Sequence, residues 1–180
     1  MPKCKQCKEK FVPKYFNQKY CMEHLECIKA FNESVKLLRS KQQKKEKIKQ
    51  KKEAVEKLMT RSDYLNIAQK VFNTFIRLRD KGKPCISCNA INYTSSCGHY
   101  YSSGNHKILT FNEDNCHAQC WFNCNSNLSG NLIEYRKGLI KRIGLERLEY
   151  LDSISKVEKK YTIDELKEIT KYYKLKIKEL

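Results

Sequence analysis

The sequence predicts an α+β protein assembled from small modules, in which cysteine-rich segments alternate with helix-forming ones. Its ten cysteines fall into two groups, one within residues 1–30 and one between residues 85 and 124. Charged residues make up 32% of the 180 residues, which leaves few apolar side chains for one large core. Modules of this size are commonly stapled by a metal ion. We expect a finger-like module at 1–30, a basic helical linker at 31–60 and a main domain at 61–180.

Cysteine use points to metal binding and not to disulfides. The chain begins Met-Pro-Lys-Cys, without the apolar run of a secretion signal. No stretch approaches the about 18 apolar residues of a membrane span. We therefore expect a cytoplasmic protein that does not enter a membrane. Disulfides are rare in that reducing setting, where paired cysteines more often bind metal.

The charge of the chain points to a polyanionic partner, most simply nucleic acid. Its 37 Lys and Arg residues exceed its 20 Asp and Glu residues by 17. Between Lys36 and Lys57 there are 10 basic and 3 acidic residues, a net charge of +7. Ile48 is the only large aliphatic residue between Arg39 and Glu53, so no face of this segment can enter a core. The segment is either a solvated helix that follows phosphates or a disordered spacer.

The first cysteine group has the spacing of a structural zinc site, since a Cys-x2-Cys turn presents two ligands from one tight loop. Its first three ligands would be Cys4, Cys7 and Cys21. The fourth is either His24 or Cys27, and we favour Cys27. Phe11 and Tyr15 are expected to form the small core beneath the metal, so that residues 1–30 become an N-terminal zinc finger.

The second cysteine group contains two pairs separated by 31 residues, and it predicts a second structural zinc ion. The four ligands would be Cys85, Cys88, Cys120 and Cys124. The second of these pairs has three intervening residues instead of two. Cys97 and Cys116 are left over, either as free thiols or as substitute ligands.

Polar residues between and after these pairs follow the order of the HNH, or ββα-metal, nuclease motif. His99 stands at the end of a first predicted strand, Asn115 five residues before the second pair, and Asn125 directly after it. Phosphodiester hydrolysis needs a base that activates water and a cation that carries charge on the phosphate. We assign His99 as the general base and Asn115 as the residue that braces its loop. Asn125 would bind Mg2+ or another divalent cation at the start of a helix.

Each of these residues also has an ordinary structural interpretation. His99 could be a zinc ligand or a surface residue, and both asparagines could be turn or cap residues. His117 could assist at the site or be packed, and His106 is expected at the surface. Three arginines would bind backbone phosphates, namely Arg77, Arg79 and Arg136. Arg77 and Arg79 could equally lie solvated on their helix.

Apolar residues at helical spacing predict helices on both sides of the second cysteine group. The first of them starts near Ser62, a plausible N-cap. A later helix ends at Gly144, a natural residue for a helix C-terminus. The last helix begins with the capping box formed by Thr162 and Glu165. The cysteine-rich stretch between these helices is expected to form short strands and loops.

Longer stretches of the sequence match a known family. They are Thr60–Leu65, Phe75–Asp80, Pro84–Cys88, Gly98–Tyr100, Phe111–His117, Ser129–Arg136 and Tyr161–Leu166. Together with the N-terminal Cys-x2-Cys, they resemble the NinG family of phage recombination proteins, and the likeness covers nearly the whole chain.

This resemblance implies a structure-specific DNA endonuclease that acts on branched recombination intermediates such as Holliday junctions and D-loops. It also implies a phage or prophage protein that works in the host cytoplasm beside other phage recombination proteins. Symmetric cutting of a two-fold junction would favour a homodimer. The alternative is a non-catalytic, zinc-containing adaptor that binds DNA during recombination.

The cysteine pairs also resemble those of phage junction-resolving endonucleases with a ββα-metal site, in which an Asp precedes the His. Here Gly98 precedes His99. The missing carboxylate would have to come from Glu113 or Asp114, unless His99 itself binds the metal. The wide spacing of the second cysteine pair also makes Asn123 an alternative to Asn125.

Overall fold

The computed structural model describes residues 1–180 and divides into two compact units, Met1–Leu58 and Met59–Leu180. The helices are α1 (Leu25–Leu58), α2 (Arg61–Arg79), α3 (Leu132–Ile143), α4 (Leu145–Ile154) and α5 (Ile163–Glu179). The strands are β1 (Ser95–His99) and β2 (Cys116–Cys120), with a 3-10 turn at Lys107–Leu109 and a π-helix at Trp121–Asn127. The predicted α+β class is confirmed, with a sheet of two strands. None of the helices combines the length and the apolar character needed to cross a membrane.

The first unit begins with a loop folded around the first cysteine group. Phe11 packs against these cysteines and is 4% exposed. Tyr20 is the second aromatic contact. The prediction that Tyr15 belongs to this core is wrong, since Tyr15 is 52% exposed. Cys27 lies in the first turn of α1, so the helix begins directly on the cysteine group.

Helix α1 continues to Leu58 as a single element of 34 residues. Every residue from 36 to 58 is exposed, because the segment is rich in Lys, Gln and Glu and has no apolar face. These residue types are good helix formers. Of the two alternatives for the basic segment, the structure contains the solvated helix.

The second unit begins with α2, whose N-terminus is closed by a capping box. Asp63 N donates to Thr60 Oγ1 at 3.3 Å, and Thr60 N donates to the Asp63 carboxylate at 2.8 Å. Because this reciprocal pair satisfies two free amides, Thr60 and not the expected Ser62 is the N-cap. The helix packs against α5 through a cluster that includes Phe72, Phe75 and Ile76.

The two strands form an antiparallel hairpin that packs on α2. His99 at the end of β1 pairs with Cys116 at the start of β2, and Ser95 pairs with Cys120. A loop of residues 100–115 joins the strands. The hairpin therefore carries the chain back to the second cysteine pair beside the start of β1.

Helices α3 and α4 form a second core with the turn that contains Cys85. Its buried members are Ile86, Leu109, Tyr135, Leu139, Leu148 and Leu151. A Cβ on Gly138 of α3 would lie 1.9 Å from the Ile86 carbonyl oxygen, so only glycine fits there. Gly144 ends α3 as predicted, with a φ of +85°. Helix α5 begins with the predicted capping box.

A buried carboxylate joins these parts of the second unit. Asp80, at the C-terminal end of α2, is 1% exposed. Its Oδ2 accepts from Ala118 N of β2 at 3.0 Å, and its Oδ1 accepts from Lys83 Nζ at 2.9 Å. Arg79 donates to both oxygens, at 2.9 and 3.0 Å. Burial alone would raise the pKa of Asp80, but hydrogen bonds from His117, Arg79 and Lys83 hold it well below its usual range.

Asp80→Asn should lower the free energy of unfolding by about 3 kcal/mol at neutral pH, because it leaves the partly buried guanidinium of Arg79 without its counter-ion. The native pKa of Asp80 is depressed. Its stabilisation is therefore complete above the unfolded pKa of about 3.9 and is lost as the pH falls further. The difference between wild type and variant, measured by urea unfolding, should stay constant from about pH 7 to about pH 5 and shrink below about pH 4.

Glu158→Gln is the control for this measurement, because Glu158 is an exposed carboxylate. It should change the free energy of unfolding by less than about 0.5 kcal/mol. Equal stability of the wild type and the Asp80 variant at neutral pH would contradict the role given to this buried group.

Candidate functional site

The first cysteine group brings together the sulfur atoms of Cys4, Cys7, Cys21 and Cys27. The Cys4 and Cys27 Sγ atoms are 3.7 Å apart, and those of Cys7 and Cys21 are 3.8 Å apart. Zinc–sulfur bonds of about 2.3 Å in a tetrahedron give sulfur–sulfur distances of about 3.8 Å. His24 lies beside the group, with Nδ1 3.8 Å from Cys21 Sγ. These four thiols could hold a structural metal ion such as zinc.

The second group gathers the sulfur atoms of Cys85, Cys88, Cys120 and Cys124 in the same way. The Cys85–Cys124 and Cys88–Cys120 sulfur distances are 3.9 and 3.4 Å. Cys120 N donates to Cys85 Sγ at 3.3 Å, which favours the thiolate form. All ten cysteines of the chain are free thiols. This group could therefore also hold a structural metal ion such as zinc.

The thiols within each group influence one another's ionisation. Burial would raise the pKa of Cys4 and Cys85, but backbone N–H donors lower these pKa values to about 6 and about 7. Burial and the neighbouring thiols raise the pKa of Cys27 to about 12 and the pKa of Cys124 to about 11. Four thiols this close can all ionise only when a cation balances their charge.

A π-helix accommodates the extra residue of the second cysteine pair. Cys120 caps this helix, and Cys124 lies within it. A π-helix closes hydrogen bonds from i to i+5, one residue more than an α-helix, so its turn is wider. Cys124 thereby reaches the other sulfur atoms. Asn125 lies inside this π-helix and not at the start of an α-helix, where the sequence predicts it.

A cleft of about 680 Å³ opens beside the hairpin. It is formed by α2, β1, the loop after β1 and the segment that follows the second cysteine pair. His99 and Asn125 both line it, whereas Asn123 does not. Asn125 Nδ2 donates to Ser96 Oγ at 3.1 Å, which ties the π-helix to β1. No Asp, Glu, Lys or Arg lines the cleft, so its walls are polar and carry no fixed charge.

His99 is placed in this cleft as a neutral imidazole. Burial lowers its pKa below the ordinary value, so the ring is unprotonated at neutral pH. Its Nε2 lies 3.4 Å from the carbonyl oxygen of Thr110, and the Phe72 ring of α2 packs with its centroid 6.5 Å away. An oriented, neutral imidazole can accept a proton or bind a metal ion.

Asn115 braces the loop that follows His99. It is fully buried, and its Oδ1 accepts from Tyr101 N at 2.8 Å. Its Nδ2 donates to the carbonyl oxygens of Tyr101 and Leu109 at 2.9 and 3.1 Å. Both polar atoms of the amide are used in this way, so Asn115 joins the start of the loop to its end.

The position before His99 has no room for a side chain. A Cβ on Gly98 would lie 2.5 Å from Gln119 Oε1 and 2.9 Å from Gln119 Cβ. Gln119 is itself fully buried on β2, so it cannot move aside into solvent. An Asp at this position is therefore excluded by packing against the neighbouring strand.

The two acidic residues considered as its substitutes are engaged elsewhere. Glu113 binds Lys176 Nζ at 2.6 Å, and Asp114 forms an ion pair with Arg147. Neither lines the cleft. In this structure, therefore, neither supplies a carboxylate to the cleft that His99 lines.

Comparison with known proteins identifies the family. The family model described as Bacteriophage Lambda NinG protein matches residues 1–180. The chain belongs to the NinG family. Its relatives include the proteins named ninG of Escherichia phage 933W, Escherichia phage lambda and Salmonella phage P22, at 38%, 37% and 36% identity. Each match covers 99% of this chain, and 92%, 92% and 93% of the respective relative. No solved structure matches the chain.

Helix α2 contributes two side-chain amides to the cleft that the sequence did not predict. Gln69 and Asn73 both line it. Gln69 Nε2 donates to Ser103 Oγ at 3.0 Å, and Asn73 Oδ1 is buried without a hydrogen-bond partner. A signal for them exists in the sequence. The two amides are four residues apart, one helical turn, beside the apolar face that contains Phe72.

The other two histidines of the second unit, His106 and His117, are half-buried and buried. The prediction that His106 lies at the surface is wrong. It is half-buried, its Nδ1 lies 2.7 Å from the Ser155 carbonyl oxygen, and it lines the cleft. His117 is 3% exposed, with Nδ1 3.5 Å from Asp80 Oδ2, so it belongs to the buried ionic network.

Two of the three arginines expected at phosphates are engaged within the NinG fold. Arg79 has a side chain that is 19% exposed, and it donates to the Cys116 carbonyl oxygen at 2.7 Å. Arg136 pairs with Asp152 at 3.0 Å. Arg77 is exposed on α2. Arg79 is therefore a structural residue and not a phosphate ligand.

Asn115→Asp tests the brace with little change of shape. The variant keeps the oxygen that accepts from Tyr101 N but replaces the donating Nδ2 with an oxygen that faces two carbonyl oxygens. We expect a loss of about 3 kcal/mol in the free energy of unfolding at neutral pH. The buried carboxyl should have a raised pKa, so stability should recover as the pH falls and the group protonates.

Urea unfolding between about pH 8 and about pH 5 measures this effect. Asn105→Asp, in the exposed part of the same loop, is the matched control and should show no comparable loss. A stability loss that is the same at both ends of this range would show that Asn115 acts in another way.

Proposed function

We propose that this chain is a DNA endonuclease that hydrolyses a phosphodiester at branched DNA during phage recombination. Its substrates would be Holliday junctions and D-loops, met in the cytoplasm of the host beside other phage recombination proteins. The observation that carries the proposal is that His99 and Asn125, from separate segments, meet in one cleft. The order of hairpin, second cysteine pair and helix supports a ββα-metal type of site.

His99 would act as the general base. When its Nε2 donates toward the Thr110 carbonyl, the lone pair is on Nδ1. Nδ1 would accept a proton from water as the water oxygen attacks phosphorus and the bond to the leaving oxygen breaks. The lowered pKa keeps the base free at neutral pH. Asn115 would contribute only by positioning the loop after His99.

Mg2+ fits this cleft poorly. In proteins that ion is bound through carboxylates and substrate phosphates. The cleft contains no carboxylate, and the side-chain oxygens it offers belong to amides and hydroxyls, among them the unpartnered Asn73 Oδ1 and the side chain of Asn125. A hard cation would have to arrive with the phosphates of the DNA. The nuclease proposal therefore rests on His99 and not on a bound Mg2+.

Affinity for DNA would come from the exposed basic helix α1. Between Lys36 and Lys57 it carries a net charge of +7, and every side chain is exposed. Lys and Arg residues that neutralise phosphates release counter-ions, so binding should weaken steeply with salt. Phosphate contacts carry no sequence information, which suits a protein that recognises the shape of its DNA. A junction cut symmetrically would require two such chains.

We also propose that each four-cysteine group holds one structural Zn2+. Sulfur distances close to a tetrahedral edge and backbone N–H donors to the thiols support this. Zinc in the second group would join the turn at Cys85 to the end of the hairpin. It would thereby fix the distance between His99 on β1 and Asn125 on the π-helix.

Cys7→Ser and Cys88→Ser should each remove one of about two tightly held zinc ions per chain. Structural zinc binding is coupled to folding, so Cys88→Ser should lower the melting temperature of the second unit. Cys7→Ser should leave that temperature unchanged. Zinc is measured by mass spectrometry, and melting of the second unit is followed by fluorescence of Trp121, the only tryptophan. An unchanged zinc content in both variants would contradict the assignment.

Cleavage of a four-way DNA junction tests the proposed activity. His99→Ala should lower kcat by about a hundredfold or more while junction binding is retained. Asn125→Ala should also slow cleavage. Asn123→Ala, on the same π-helix but outside the cleft, is the matched control. Activity should fall as His99 becomes protonated, with a midpoint below about 6.5, because burial lowers its pKa.

The outcomes separate the nuclease from the adaptor. If the wild type binds the junction but cuts nothing with any divalent metal, the enzyme proposal fails and the zinc-containing adaptor is favoured. If His99→Ala cuts as fast as the wild type, the assignment of the base is wrong. If Asn123→Ala slows cleavage and Asn125→Ala does not, the reaction takes place outside this cleft.

A further inference from the structure

A third group of metal-binding side chains lies in the wall of the cleft. The ligand atoms of Cys97, His99 and Cys116 all lie within 4.8 Å of one another. The hairpin explains why. Cys97 and His99 are two residues apart on β1 and so point to the same face, and His99 pairs with Cys116 of β2. All three side chains therefore project from the same face of the hairpin.

The donor set selects the metal. Two thiols and an imidazole are soft and borderline ligands, which suit Zn2+, whereas Mg2+ requires oxygen ligands. The lack of carboxylates in the cleft points in the same direction. Zinc sites with three protein ligands leave a fourth position for water or substrate.

That fourth position would face the cleft. Cys97 and His99 line the cleft, whereas Cys116 is fully buried. Asn73 of α2 lines the same cleft, and its buried Oδ1 has no hydrogen-bond partner. A water bound at the open position of the metal would offer this oxygen a donor.

We propose that Cys97, His99 and Cys116 form a third, exchangeable Zn2+ site within the cleft. Zinc binding would displace one proton from each thiol and occupy a ring nitrogen of His99. The site itself follows from the hairpin geometry alone. Its consequence rests on the proposed nuclease function. A His99 that binds zinc cannot accept a proton from water, so zinc would inhibit cleavage.

Titration with Co2+ tests the site in full-length protein that already carries its tightly held zinc. Thiolate-bound Co2+ absorbs in the visible and near-ultraviolet range, and the wild type should bind about one additional ion per chain. Cys97→Ala and His99→Ala should each weaken this binding by about tenfold or more. His106→Ala, which removes the other imidazole of the cleft, should bind Co2+ as the wild type does. Added Zn2+ should displace the Co2+.

Two results would overturn the site. One is the absence of additional Co2+ absorption in the wild type. The other is equal Co2+ binding by the wild type and Cys97→Ala. Cys97 is the preferred position for substitution because it is only partly buried, whereas Cys116 is part of the core beside Phe72.

Measuring the rate of DNA cleavage at increasing Zn2+ concentrations tests the proposed inhibition separately from the existence of the site. Each protein is compared with its own rate without added zinc. The wild type should lose half its activity at a Zn2+ concentration about tenfold lower than Cys97→Ala does. If Zn2+ inhibits the wild type and Cys97→Ala at the same concentration, the proposed inhibition is overturned, but the evidence from Co2+ binding for the site is unaffected. If no protein cuts DNA, the nuclease proposal and the inhibition fail together, and the Co2+ titration alone decides the site.

Discussion

The buried carboxylate of Asp80 is the interaction on which the second unit depends. It ends α2, accepts a hydrogen bond from the backbone of β2 and binds Lys83, two residues before Cys85. One side chain thus sets the helix, the hairpin and the first cysteine pair relative to one another. Two of these elements, α2 and the hairpin, also contribute walls of the cleft. Asp80 itself does not line the cleft.

Features fixed by residues a few positions apart could be predicted from the sequence. The capping box at Thr162 is of this kind, and so are the closely spaced cysteine pairs from which the two cysteine groups were predicted. Features fixed by the packing of distant segments could not. His106 is covered by the end of α4, and Arg79 reaches a carbonyl oxygen of β2, 37 residues further along the chain. The amide of Asn73 joins the cleft only because α2 packs on the hairpin.

The basic segment and the cleft lie in different units of the chain. Its densest positive charge lies on α1 in the first unit, while the cleft of the second unit has no fixed charge. The ionisation of His99 is accordingly governed by burial and not by a neighbouring ion pair. In such a site the same imidazole is available both to a proton and to a soft metal ion. Because the thiols of Cys97 and Cys116 lie beside His99, they would strengthen metal binding relative to proton binding.

Gly98 and Gln119 constrain each other across the hairpin. Gln119 fills the space that a side chain at position 98 would need, and its Nε2 donates to Ser87 Oγ and to the Gly130 carbonyl oxygen at 2.7 and 2.6 Å. An acidic residue at position 98 would require a much smaller residue at position 119, which would leave Ser87 and Gly130 without that donor. The intermediate with either change alone is destabilised. Natural variation at these two positions should therefore be paired, with an acidic residue at position 98 accompanied by a smaller residue at position 119.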